Sequence, residues 1–143
     1  MGTQQLLLIV LSVILVGVAI SVGINMFSSQ AYLSNQQAMS AELTNYSTLL
    51  IQYYKTPVSM GGAGGIIGNV TTTLAANYIG LTGANSSATS DNGEFRLISL
   101  SGNVITLKGL GKEKKGGNYP LITTTVDLST NTLATTVSRA ATF

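Results

Sequence analysis

Side chains able to carry chemistry are few in this sequence and poorly grouped. There is no histidine and no cysteine. The commonest general base, the commonest transition-metal ligand and all thiol chemistry are therefore missing together. The five acidic residues are scattered, and no catalytic, cofactor-binding or metal-ligating set emerges from them. Asp91-Asn92-Gly93-Glu94 places oxygen ligands around a glycine, but the spacing of a full calcium loop is absent, and the segment reads as a turn. Lys112-Glu113-Lys114-Lys115 lies between glycines and reads as a solvated loop. Its sharper reading is a contact for DNA or an anionic surface. A net charge of +2 is too small to argue for nucleic acid as the main partner. Asn45-Tyr46-Ser47, Asn69-Val70-Thr71 and Asn85-Ser86-Ser87 are glycosylation sequons. Sugar O-linked to the Ser/Thr tracts is an equal alternative. Phe27, Tyr32, Tyr46, Tyr53 and Tyr54 could suggest an aromatic path for electrons, but tyrosines at helical spacing are the ordinary mark of packing. These observations point away from an enzyme.

The elements that position these residues are more legible. Hydrophobic residues make up 45% of the 143 residues and charged ones 8%, against about 25% charged in an ordinary soluble domain. Serine, threonine, asparagine and glycine cover the surface instead. Leu6 to Ile24 is nearly all apolar, and the first charged side chain is Glu42. At 1.5 Å per residue the apolar run spans roughly 28 Å, about the hydrocarbon thickness of a bilayer. It is too long for the core of a signal peptide and has no basic flank. A plain membrane anchor is viable, yet no lysine or arginine precedes Lys55 to set its orientation.

The helical pattern continues past the apolar run. Ser28 to Tyr54 contains neither proline nor glycine, and Tyr32, Met39, Leu43, Tyr46, Leu50 and Tyr53 recur at steps of three, four and seven. That is one apolar stripe of an amphipathic helix. Thr56-Pro57 ends it. One helix is therefore expected from about residue 4 to 54, roughly 75 Å long. The chain divides into an apolar helix (1–27), its amphipathic continuation (28–55), a Gly/Ser/Thr-rich connecting loop (56–93) and a β-sheet head (94–143). Within the connector, "TTTLAANYIGL" reads as either a short helix or an irregular packed loop. In the head, "EFRLISL" and "NVITLKGL" are joined at Ser101-Gly102, and "YPLITTTVDL" and "TLATTVSRA" by "STN". Alternating threonine, valine and isoleucine suggest half-buried strands. The expected fold class is α+β: a long N-terminal helix packed by its second half on an antiparallel sheet of about four strands.

This order of elements resembles the type IV pilins and pseudopilins. With Met1 as the mature N-terminus the register matches: an apolar first residue, Thr3 near the start, a polar side chain at Gln5, and the apolar run from Leu6. Two positions depart from the family pattern. Gln5 stands where glutamate is usual, so the residue can accept a hydrogen bond from a neighbouring terminal amine without neutralising it. Val22 and Gly23 stand where many members carry proline, so the helix is expected to stay largely continuous. No basic leader ending in glycine is visible, which implies that it has been removed or that processing differs.

The resemblance implies a filament subunit, held first in the inner or cytoplasmic membrane and then moved by pilus assembly machinery into an extracellular filament on the cell surface. The partner it implies is a second copy of the chain, packed through Met1, Gln4, Gln5, Leu6, Val13, Val16, Gly17, Ile20, Gly23 and Phe27. A core of parallel helices has no room for unpaired charge, which matches a chain uncharged through residue 41. Small residues at Ser12, Gly17, Ala19, Ser21 and Gly23 would let helices approach closely. No cofactor is implied. The alternatives are a minor pseudopilin of a secretion or DNA-uptake machine, and a membrane-anchored surface domain that never polymerises.

Overall fold

The computed structural model describes residues 2–143; the expectation attached to Met1 lies outside them. One helix, α1 (Gly2–Lys55), runs unbroken for 54 residues, about 81 Å. Gly17 and Gly23 lie inside it without a break, since each costs only about 1 kcal/mol relative to alanine. Polar side chains in its first half bond back to their own helix. Ser12 donates to the Ile9 carbonyl (2.7 Å), Asn25 to that of Ser21 (3.0 Å) and Ser28 to that of Asn25 (3.1 Å).

The C-terminal end is closed by the connector. The helix stops where the extended backbone of Pro57 follows Thr56 (φ −56°, ψ 148°). The glycine-rich chain then folds back, and its amides satisfy carbonyls that the helix leaves open. The Ala63 amide donates to Tyr53 (3.0 Å), that of Gly64 to Thr56 (2.8 Å) and that of Gly65 to Tyr54 (2.7 Å). Gly64 and Gly65 do this at φ +66° and +74°, where a Cβ is disfavoured. Tyr54 adds a phenol hydrogen bond to the Gly65 carbonyl at 2.7 Å. Beyond two 3-10 turns, Val58–Met60 and Ile67–Asn69, the ambiguous segment is a helix, α2 (Thr72–Tyr78). The Thr71 hydroxyl caps it by accepting from the Leu74 amide at 3.2 Å.

The sheet has five strands: β1 (Ser87–Thr89), β2 (Gly93–Ser101), β3 (Val104–Gly111), β4 (Tyr119–Asp127) and β5 (Thr132–Ala140). All neighbours are antiparallel, in the order β1-β2-β3-β4-β5. The fold is α+β, one long helix on an antiparallel sheet. The extra strand, β1, comes from the segment expected to be connector. The β2–β3 turn is Gly102-Asn103, one residue later than Ser101-Gly102. A bulge between Leu97 and Ser99 shifts the register of β2 and leaves Ile98 exposed.

The core lies between the second half of α1 and one sheet face. Met39, Leu43 and Leu50 meet Phe95, Leu97, Ile105, Leu107, Ile122 and Val126, all buried. The buried helix stripe is Tyr32, Met39, Leu43, Ser47, Leu50 and Tyr53. Tyr46, expected in that stripe, is half-buried at its edge, its ring 5.3 Å from that of Phe95. Ser47 takes the central place, its hydroxyl bonded to the Leu43 carbonyl at 2.7 Å. The helix crosses the sheet over Gly93 and Gly109, where an added Cβ would lie 2.8 Å from the Met39 thioether. The expectation that both hairpins are half-buried fails for β5, whose residues Thr132 to Arg139 are all exposed. The reason is placement: α1 packs against β3 and β4, and β5 projects past it as an edge.

Candidate functional site

The largest feature without an internal partner is the first half of α1. Every residue from Gly2 to Ser28 is exposed, including Leu6 (64%), Val13 (65%), Ile20 (58%) and Phe27 (78%). Leu6, Val13, Val16, Ile20, Gly23 and Phe27 follow at steps of seven, three, four, three and four, so they share one face of the helix. Gln5 lies on the same side and Gly17 at its flank, whereas Gln4 turns to the opposite side of the helix. Nothing approaches a Cβ position on Gly17 or Gly23 within 4 Å. A shallow apolar groove runs along Leu11, Leu15, Val18, Ala19 and Val22 to Gly23. Its small residues leave room for another helix to come close. Among the described residues this is the one helix long and apolar enough to cross a membrane.

The absence of charge extends further up the helix than its apolarity. On the side turned from the head, Gln30, Leu33, Ser34, Gln37 and Ala41 are exposed and uncharged. The first acid, Glu42, faces the head instead. Its carboxylate accepts from the Asn92 side-chain amide and from the Ser90 hydroxyl (3.3 Å). Asn35, one heptad earlier, donates to the Asn92 carbonyl (2.7 Å) and accepts from the Lys112 amide (3.1 Å). Two polar residues of α1 thus clasp the segments that enter β2 and leave β3, side by side at the open end of that pair where Gly93 faces Gly111. The signal of this clasp in the sequence is the heptad spacing of Asn35 and Glu42.

The remaining candidates resolve individually. Asp91-Asn92-Gly93-Glu94 forms the clasped turn and the start of β2, and Glu94 pairs with Arg96 at 2.8 Å. Among the described residues no three His, Cys, Asp or Glu side chains converge. Asn45 is exposed in the middle of α1, next to buried Ser47. The Asn69 side-chain amide is occupied by the Ala63 carbonyl at 3.1 Å. Asn85 stands on an exposed turn at φ +59°. The Tyr53 ring meets that of Tyr78 at 5.0 Å, the two planes tilted by 50°. Burial pushes the Tyr46 phenol up, and the Glu42 carboxylate adds to it.

The lysine run divides by direction. Lys112 turns inward, its ammonium 2.7 Å from the Ser90 carbonyl. Lys114 and Lys115 turn towards the base of the head and share a groove with Arg139, Asn25, Ser28 and Ser29. Arg139 lies over the Tyr32 ring (5.7 Å) and Lys114 over the Tyr119 ring (4.8 Å).

Taken together the geometry defines an α+β head carried on a helix whose outer half is bare. No family model, curated protein or solved structure matches the chain.

Proposed function

We propose that the chain is the structural subunit of a type IV pilus-like extracellular filament, a homopolymer built by packing the N-terminal helices. The observation that carries this is the uncharged exposed surface of α1, which continues from the apolar half up to Ala41. Burying one exposed Leu, Ile or Val contributes roughly 1.5–3 kcal/mol, so the segment from Leu6 to Phe27 requires a cover. Lipid supplies it before assembly, in the inner or cytoplasmic membrane, and neighbouring helices supply it afterwards. The role is structural, without a catalytic step or cofactor. The pilus assembly machinery would move the subunit between the two states.

A membrane-anchored domain that never polymerises, or a minor pseudopilin, is the competing assignment. An anchor accounts for residues 2–27. It gives no reason for the face at Gln30, Leu33, Ser34, Gln37 and Ala41 to lack charge, because that face stands clear of the hydrocarbon layer. The test is electron microscopy of surface material from producing cells, with mass spectrometry of any filaments. Filaments composed mainly of this chain are expected; filaments that lack it, or none under conditions of strong expression, would reject the proposal.

A further inference from the structure

We propose that the base of the head is a docking surface for anionic lipid headgroups, used while the subunit is held in the membrane. This rests on the membrane stage of the function proposed above. Two observations meet here. Lys114 and Lys115 from the β3–β4 loop and Arg139 from the end of β5 line one groove against Asn25, Ser28 and Ser29 of α1. Those helix residues follow directly on Ile24, the end of the apolar run.

The level of the groove follows from helix geometry. Asn25 to Ser29 rise about 2–8 Å beyond Ile24 at 1.5 Å per residue. The polar headgroup layer is about 5–7 Å deep on each side of the hydrocarbon. A helix seated with Leu6 to Ile24 in the hydrocarbon therefore holds the groove among the headgroups. The chain leads the three cations there by independent routes, a loop and a strand end separated in sequence by the whole β4–β5 hairpin.

Their chemistry fits phosphate. Among the described residues the only ion pair joins Arg96 and Glu94, so the groove's cations are not matched to internal carboxylates. Glu113 is the one acid in the loop. Arg139 presents a planar fork suited to two phosphate oxygens, and its position is held over the Tyr32 ring. Lys114 is held over Tyr119 in the same way. Lys115 precedes Gly116 and Gly117, both at positive φ (61° and 83°), which turn the loop back to β4. A head docked by three cations would be fixed in rotation about the axis of α1 before it is withdrawn.

The experiment uses the full chain in nanodiscs of phosphatidylcholine alone or with phosphatidylglycerol, reading hydrogen exchange over residues 112–118. We expect exchange to slow about fivefold in the anionic discs, the factor one cation near an anionic surface supplies. High salt should reverse the slowing. It should also vanish in Lys114→Gln/Lys115→Gln/Arg139→Gln and persist in Lys55→Gln, which removes a cation at the far end of α1. Equal exchange in the two discs overturns the docking surface. So does slowing by duplex DNA in phosphatidylcholine discs with none from phosphatidylglycerol, which would assign the groove to nucleic acid. A chain that enters neither disc overturns the membrane stage itself, an outcome visible before any exchange is measured.

Discussion

Residues 2–27 and 28–55 of α1 share one backbone ladder, the first stretch apolar nearly all round and the second apolar along one stripe. In the first stretch no residue is buried; in the second, six are, from Tyr32 to Tyr53. The local sequence explains how each half becomes helical, and the sheet explains the difference between them. β3 and β4 lie over the second half, and the loop that joins them reaches its lower edge near Asn25 to Ser29. Helix formation and helix coverage are therefore separate problems in this chain. The head solves the second for one half only, and what remains bare has to be covered from outside.

The largest test of that division is a charge in the bare half. Val16→Arg places a guanidinium on the face shared by Leu6, Val13 and Ile20. Burying it unpaired in a helical core would cost several kcal/mol, and filaments should be lost altogether. The head, which residue 16 does not touch, should keep its circular dichroism and its melting transition. Normal filaments from this variant would mean that the bare half is not the core of an assembly.

The complementary test is a pair of matched truncations, with unfolding of the head followed in the full chain in detergent. Leu43 is completely buried, whereas Leu15 is 64% exposed. Leu43→Ala should cost about 2–5 kcal/mol, and Leu15→Ala should leave the head transition unchanged. Similar losses from the two would erase the distinction between the halves. A third variant probes the contact itself. Gly109→Val would drive a side chain into the Met39 methyl and the Phe95 ring, an overpacking expected to cost about 1–3 kcal/mol.

How much of this the sequence discloses also differs between the regions. The length of α1 was readable to within about two residues, because apolar periodicity, the lack of internal proline and the Thr56-Pro57 stop are all local signals. The antiparallel hairpins were readable for the same reason. Three features were not. β1 is three residues long and exists only because β2 offers it an edge. The exposure of β5 depends on where α1 crosses the sheet, which no alternation of Thr and Val encodes. The groove at the base joins Lys114 and Lys115 to Arg139 and Asn25, and only folding places them side by side. Gly93 and Gly109 are an intermediate case. A glycine inside a strand signals a close approach, but not that the neighbour is Met39.

The smallest expected effect separates the halves by titration. Residues 2–31 carry no titratable side chain, so acid can act directly only on the head and on the half of α1 packed against it. Asp127, at the β4–β5 turn, accepts from the Ser129 hydroxyl (2.6 Å), the Ser129 amide (2.9 Å) and the Thr130 amide (3.2 Å). These bonds, the Ser129 hydroxyl first, hold its pKa below the ordinary 3.8. A group whose folded pKa is lowered adds stability above its unfolded value, and that contribution is lost as the pH falls through the folded value. The turn should therefore be at full strength at neutral pH and weaken only below about pH 4. Asp127→Asn keeps an acceptor oxygen for the turn but removes the titration. Melting temperatures of the full chain in detergent, taken from neutral pH down into strong acid, should fall slightly more steeply for the native chain than for Asp127→Asn. The variant should also start a little lower at neutral pH, because a neutral acceptor holds these donors less strongly than a carboxylate. Parallel curves would show that the exposed turn contributes nothing to the stability of the head.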